Sequence, residues 1–546
     1  MPAKTTVGEY LVARIEELGL GHVFGIPGDY VLGFYDRLVA SRLQLVGTCT
    51  EIGAGYAADA YARVRGLGCV CVTYCVGGLN VVNAIGGAYA EKSPVVVISG
   101  APGLSERHAS PLLHHQVRDF RTQVAVYGKV TAAAVAIEDP ADAPRLIDET
   151  LDTCLKQKRP VFIELPRDIV DRACPRPGRW RVDAPLSDAN ALREAVAETT
   201  ALLKTARRPA ILAGVEIHRF GLQERLLELV KRTGYPIATT LLGKSIISER
   251  HPQFVGVYQG AMGRPATRRA IERADSLLVL GAFMTDMNLG VGTADLDPER
   301  TIDANSERIR IRHHRFDGIV LEDFMEGLTA ARLGPRRAGA KPVPALPKPF
   351  RPIASRPISV RRFFARMNEF LGEDNVVICD IGDSLFGGSE LTIHRRTEFI
   401  CPAYYTSMGF AVPAALGAQS ARRGLRPIVF VGDGAFQMTG QELSSIARQG
   451  LNPIVFVLNN DGYTTERYIR EGPYNDIRHW RYHRLPELID AGLGMEVRTE
   501  GELETALDTA ADHEASFVLV NVHLDRMDAS PALKRLGEGL ARLSRR

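Results

Sequence analysis

Short runs of apolar residues rich in Val and Ile recur along the chain, separated by amphipathic stretches of helical period. A first group comprises residues 22–25, 69–74, 95–99 and 161–165; a second begins at 210–214 and continues through 236–239 and 276–281. A third comprises 376–380, 427–431, 454–458 and 517–522. Runs that are apolar throughout, rather than alternating, read as strands covered on both faces. Strands alternating with helices predict the α/β class: three domains, each a mostly parallel sheet flanked by helices. Residues 1–20 read as a first amphipathic helix, and 439–448 as the helix of a βαβ unit. No short-period repeat is present, although two of the three groups look built to similar plans.

Interruptions in this pattern mark the boundaries. Pro175, Pro177 and Pro185 in residues 174–188 predict a linker. The low-complexity stretch 333–357, rich in Pro, Arg, Ala and Lys, predicts another. The expected domains are therefore 1–175, 189–332 and 358–546, with 333–357 as linker. A chain of 546 residues exceeds a single core, and 45% hydrophobic with 24% charged residues is ordinary for a soluble protein. A net charge of +3 argues against nucleic acid or an anionic membrane as partner. The N-terminus lacks an uninterrupted apolar segment, so a cytoplasmic location is expected. Cys69, Cys71 and Cys75 cluster in and after one strand; buried free thiols are expected there in preference to a metal site.

Candidate chemistry sits at two strand ends of the third group. Val431-Gly432-Asp433-Gly434-Ala435 closes one strand, and Leu458-Asn459-Asn460-Asp461-Gly462 closes the next. The Asp433 carboxylate, the Asn460 amide oxygen and the Gly462 carbonyl are hard oxygen ligands suited to Mg²⁺ or Ca²⁺. Gly432 and Gly434 let backbone amides approach a diphosphate. A Gly-Asp-Gly alone also serves as a strand-to-helix turn with no ligand; the second strand end is what turns the reading toward a ligand. The N-terminal unit adds Gly25-Ile26-Pro27-Gly28-Asp29, Glu51 just after Thr50, and the pair His114-His115.

Together with Glu466 in Asn460-Asp461-Gly462-Tyr463-Thr464-Thr465-Glu466, these residues resemble the thiamine diphosphate (ThDP)-dependent 2-oxo acid decarboxylases over nearly the whole chain. The resemblance is closest to the indolepyruvate, phenylpyruvate and pyruvate decarboxylase branch, where an adjacent His pair and a Glu shortly after the metal site occur together. It implies a ThDP-binding fold with an N-terminal pyrimidine-binding domain, a central domain and a C-terminal diphosphate-binding domain. It also implies ThDP and Mg²⁺ as cofactors, a 2-oxo acid as substrate, and a homodimer at least, commonly a homotetramer, with ThDP held between two subunits.

By the same resemblance Glu51 hydrogen-bonds the pyrimidine ring nitrogen from a poorly solvated position. Asp29, His114, His115 and Glu466 share the proton transfers as a coupled set. Gly382-Asp383-Ser384 would form a further loop over the diphosphate, beside Gly432, Asp433, Gly434, Ala435 and Asn460; Thr406 and Met408 would flank the rings, Met408 as a wedge. Ala435 stands where many relatives have Ser, which removes a hydroxyl contact. Met287 and Leu385 correspond to bulky aromatics of pyruvate decarboxylases, so a roomier pocket for arylalkyl or branched-chain 2-oxo acids is expected.

Each residue also has a plainer reading in isolation. Glu51 would be a helix-start charge, Asp29 a helix cap, His114-His115 a polar loop, Glu466 a solvated helix charge and Met408 core packing. Among whole functions, pyruvate decarboxylation, carboligation and a silent ThDP-binding scaffold stay open. A dinucleotide oxidoreductase is disfavoured, because no Gly-x-Gly-x-x-Gly follows a strand where one is needed.

Overall fold

The computed structural model describes residues 4–109, 112–178, 180, 182–331, 333–334, 349–393 and 398–543. Three sheets carry the chain, as the apolar runs predict. In the N-terminal sheet six parallel strands lie in the spatial order Gln44–Gly47, His22–Gly25, Gly68–Val72, Val95–Ala101, Val161–Pro166, Ala133–Ala136. In the C-terminal sheet the order is Phe399–Ile400, Asn375–Cys379, Arg426–Gly432, Ile454–Asn459, Val518–His523, Leu493–Val497, again all parallel. Ranked by position in the chain, both sheets read 2-1-3-4-6-5. The two outer units are thus the pair built to one plan.

The central sheet has seven strands. Phe254–Tyr258, Ile237–Thr240, Pro209–Ala213, Ser276–Leu280 and Thr301–Ala304 run parallel, and Ile309–Ile311 and His314–Phe316 add an antiparallel edge. Short edge strands account for most of what hydrophobic patterning overlooks. Gln44–Gly47, Ala133–Ala136 and Leu493–Val497 keep most of their residues partly open to solvent, so they carry no unbroken apolar run.

Two expected elements differ. The expected N-terminal helix is shorter: Lys4–Thr6 pairs antiparallel with Ala173–Pro175, whose last two residues lie inside the expected linker, the helix runs Val7–Glu17, and residues 1–3 lie outside the described residues. Thr6 caps it in a reciprocal box with Glu9. The helix expected over 439–448 begins earlier, as Asp433–Thr439, tightens through a 3₁₀ turn at Gly440–Glu442 and resumes as Leu443–Arg448. Its first turn is therefore the Gly-Asp-Gly segment itself.

The outer units pack on each other through two helices of small residues, Glu51–Arg65 and Ala411–Ala421. Ala54, Ala57, Ala58, Ala414, Ala415 and Ala418 are all buried there, which lets the backbones approach closely. Cys69, Cys71 and Cys75 are free and buried, as expected. Most of the low-complexity stretch, 335–348, lies outside the described residues; the remainder, 349–357, forms no helix or strand. Among the described residues no helix is long and apolar enough to cross a membrane.

Candidate active site

A cavity of about 730 Å³ opens at the carboxyl ends of the C-terminal strands, the place where open α/β sheets take their ligands. Asp433 sits at its floor, 1% exposed, as the first residue of the helix Asp433–Thr439. Its Oδ1 accepts the Gly434 N–H at 2.8 Å and its Oδ2 accepts the Gly462 N–H at 3.0 Å. One carboxylate therefore ties together the two strand ends singled out by sequence. Burial lifts this carboxyl to about 6, a cost that a bound cation would reverse by favouring the ionised form.

The second strand end is held by a residue that sequence reading missed. Arg467, whose side chain is fully buried, donates to the Asn460 carbonyl at 3.0 Å, the Asp461 carbonyl at 2.6 Å and Asp476 Oδ1 at 2.9 Å. Gly462 takes φ 137°, and a Cβ there would lie 2.0 Å from the Asn475 carbonyl oxygen. At Gly434 a Cβ would lie 2.4 Å from the Tyr463 ring. Asp433, Asn460 and Gly462 thus offer oxygen donors on one cavity wall, beside a helix whose N-cap residue, Gly432, has no side chain to cap it. This donor set and cradle fit a divalent cation with a diphosphate.

Gly382, Asp383 and Ser384 also line the cavity, though not as a loop. Gly382 precedes the helix Asp383–Gly388, so Asp383 and Ser384 form its first turn. Asp383 Oδ2 accepts the Ser530 N–H at 2.6 Å, Oδ1 is buried without a partner, and burial lifts the carboxyl to about 6. Thr406 and Met408 border the cavity from a loop that leads into the helix Ala411–Ala421. Met408 is 38% exposed and so is not core packing. Its loop is fastened by Asp380, a second residue missed by sequence, which accepts the Gly409 N–H at 3.1 Å and the Ala411 N–H at 2.8 Å. A carboxylate ending an all-apolar strand, 376–380, was the available signal.

Ala435, Glu466, Met287 and Leu385 border the same cavity. Glu466 is exposed on the helix Thr464–Ile469, and Leu385 is fully buried. Phe386 borders it too, an aromatic that the expectation of a roomier pocket did not count.

The N-terminal candidates gather elsewhere. His114 Nε2 lies 2.7 Å from Asp29 Oδ2, its ring stacks on Tyr30 at 4.5 Å, and the two His rings meet edge-on at 4.8 Å. Glu51 opens the helix Glu51–Arg65, where Thr50 caps by accepting the Gly53 N–H at 3.0 Å. Its position is half-buried, not enclosed. Neither this group nor Glu51 borders the C-terminal cavity, so within one chain the two sets of candidates stand apart.

A cation and diphosphate cradle on one of two matched parallel sheets, with carboxylate and imidazole groups on the other, defines a cofactor-dependent α/β enzyme. Models of three thiamine pyrophosphate enzyme domains match the chain: the N-terminal TPP binding domain over 5–125, the central domain over 196–330 and the C-terminal TPP binding domain over 380–522. The chain belongs to the thiamine pyrophosphate (ThDP) enzyme family, in its 2-oxo acid decarboxylase branch. It is 37% identical to an alpha-keto-acid decarboxylase of Mycolicibacterium paratuberculosis, across 97% of this chain and 96% of the relative. It is 36% identical to an indole-3-pyruvate decarboxylase of Azospirillum brasilense, across 98% of both chains. It is 33% identical to pyruvate decarboxylase 1 of Pisum sativum, across 98% of this chain and 93% of the relative.

Proposed function

We propose that the chain decarboxylates an arylalkyl or branched-chain 2-oxo acid, without oxidation, to an aldehyde and CO₂. The class of reaction follows from the family; the substrate class rests on the cavity. Its apolar wall, with Met287, Leu385, Phe386 and Ile469, suits a large hydrophobic side chain. Indolepyruvate, phenylpyruvate and 2-oxoisovalerate are the acids of that kind, with pyruvate as the contrasting small one.

ThDP, when bound, supplies the electron sink for cleavage of the bond to the carboxylate. Asp433, Asn460 and the Gly462 carbonyl would hold Mg²⁺ against the diphosphate, with Gly382, Asp383, Ser384, Gly432, Gly434 and Ala435 around it. Thr406 and Met408 would border the rings. Glu51 would accept a hydrogen bond from the pyrimidine ring nitrogen. Asp29, His114, His115 and Glu466 would hold and pass protons at the reacting carbon and the carboxylate, in a site whose apolar wall limits water.

The observation that carries this reading is the separation of the half-sites. Residues of both are needed for one reaction, yet they do not share a cavity in one chain. We therefore assign a homodimer at least, with a homotetramer as its doubled form, and place each site between two subunits. Met408, which borders the cavity, is exposed together with Tyr404 and Tyr405 of the same loop, which supports a covered surface there. The corresponding domains are 1–175 for the pyrimidine, 189–332 as central unit, 333–357 as linker and 358–546 for the diphosphate. Free buried cysteines accord with a reducing, cytoplasmic setting.

The test is incubation of the purified protein with ThDP, Mg²⁺ and each of the four acids. CO₂ and aldehyde should appear in equal amounts, with kcat/KM higher for the three larger acids. A clear preference for pyruvate overturns the substrate assignment, and absence of CO₂ release from all four overturns the activity.

A further inference from the structure

Glu51 has two carboxylate oxygens in different surroundings. Oε2 accepts the Asn80 Nδ2–H at 2.6 Å. Oε1 has no hydrogen-bond partner among the described residues, and it faces Gly77, where an added Cβ would lie 3.6 Å away. Asn80 and Gly77 both belong to the helix Val76–Ala90, one turn apart at its start. That helix start cannot drift. The Cys75 N–H donates to the side-chain oxygen of fully buried Gln123 at 2.7 Å, and the Tyr127 hydroxyl donates to the Gly78 carbonyl at 2.7 Å. Gln123 is itself fixed by donating to Glu164 Oε2 at 3.1 Å.

We infer that Asn80 is a positioning residue for Glu51: its amide N–H takes Oε2, which leaves Oε1 as the oxygen offered to the pyrimidine ring nitrogen. This rests on the reading that Glu51 serves the pyrimidine. An amide N–H can only donate, so Asn80 holds Oε2 as an acceptor and fixes the orientation of the carboxylate. The nearby polar groups do not compete for it. Tyr35 gives its hydroxyl hydrogen to the Cys71 carbonyl at 2.9 Å, and Glu442 accepts the Thr50 N–H and hydroxyl, each at 3.0 Å.

The experiment compares wild type, Asn80→Ala, Asn80→Asp and Glu51→Gln as ThDP–Mg²⁺ holoenzymes. It measures kcat and KM, ThDP affinity by calorimetry on the apoprotein with Mg²⁺, and thermal stability. Asn80→Ala should lower kcat about tenfold or more, the size carried by one hydrogen bond to a charged group, with KM for the 2-oxo acid and thermal stability nearly unchanged. Asn80→Asp should show a larger fall, since it replaces the donor with a second carboxylate beside the first. An unchanged kcat, or a fall in kcat matched by a rise in KM or a loss of stability, overturns the inference, provided Glu51→Gln is inactive. If Glu51→Gln is itself active and binds ThDP normally, the role given to Glu51 fails first, and the inference with it.

Discussion

Gly462→Ala tests whether the second strand end is as constrained as its geometry shows. The residue holds φ 137°, a conformation open in practice to glycine alone, which costs an alanine about 1–3 kcal/mol. The new Cβ would lie 2.0 Å from the Asn475 carbonyl oxygen, whereas ordinary contact begins at 3.4 Å. Both are backbone positions, so no side chain can swing aside. The Asn475 carbonyl also accepts the Tyr463 N–H at 2.9 Å, and the Gly462 N–H donates to Asp433 at 3.0 Å. Displacing either strand of this contact weakens at least one of those bonds, each worth about 1 kcal/mol. The total is about 2–4 kcal/mol, shared between folding stability and the position of the Gly462 carbonyl. Each 1.4 kcal/mol or so that falls on the carbonyl raises the half-saturating Mg²⁺ concentration about tenfold. The assay is an Mg²⁺ titration of activity at saturating ThDP, paired with thermal unfolding of the apoprotein. Gly424→Ala is the control, because a Cβ there meets nothing within 4 Å. A Gly462→Ala protein with both Mg²⁺ half-saturation and Tm unchanged would refute the reasoning.

Two further outcomes follow from other parts of the site. Burial raises the Asp380 carboxyl to about 6 from an ordinary 3.8, so the folded state binds its proton more tightly than the unfolded state. Its contribution to stability is present at low pH and is lost as pH rises through about 6. Asp380→Asn lacks that titration, so the Tm deficit of the variant apoprotein relative to wild type should narrow between pH 5 and 7.5, on the order of the window that linkage sets; a constant or widening deficit counts against it. Glu51→Gln and Asp433→Ala should each be inactive alone. Mixed by dissociation and reassociation, they should recover about a quarter of wild-type activity, since half the dimers are mixed and each of those has one intact site in two. No recovery would place both half-sites in the same chain.

Much of this architecture was legible in the chain because burial on both faces leaves an unbroken apolar run. Ile428, Val429, Phe430 and Val431 form such a run, and each is buried in the strand Arg426–Gly432. The edge strand Leu493–Val497 was not legible, for it keeps Glu496 exposed and needs only one apolar face. Candidate residues that line the cavity were legible where chemistry restricts the residue type, as at Asp433 and Asn460. The residues that hold them were not. Arg467 works by filling carbonyl acceptors seven and six positions back, and Asp380 by capturing amides at Gly409 and Ala411, contacts between segments that patterning does not connect.

The shared strand order of the outer units gives each unit its own set of polar candidates. In each unit the polar groups follow the carboxyl ends of parallel strands: Asp29 after His22–Gly25 and Glu51 after Gln44–Gly47 in one, Asp433 after Arg426–Gly432 and Asn460 after Ile454–Asn459 in the other. Such ends lie on one rim of a sheet, so each unit offers one functional edge. The helices Glu51–Arg65 and Ala411–Ala421 pack the two units together, and the cavity at the C-terminal rim is then bordered by none of the N-terminal candidates. In the dimer proposed above, a second copy would cover that rim with the complementary one, each chain giving its N-terminal rim to the partner and receiving the partner's in return. The loop that carries the exposed Tyr404, Tyr405 and Met408 reaches the cavity at Thr406 and Met408. On this account oligomerisation is a condition of chemistry, and variants that weaken the interface should lose activity in step with the fraction of dimer, not with ThDP concentration.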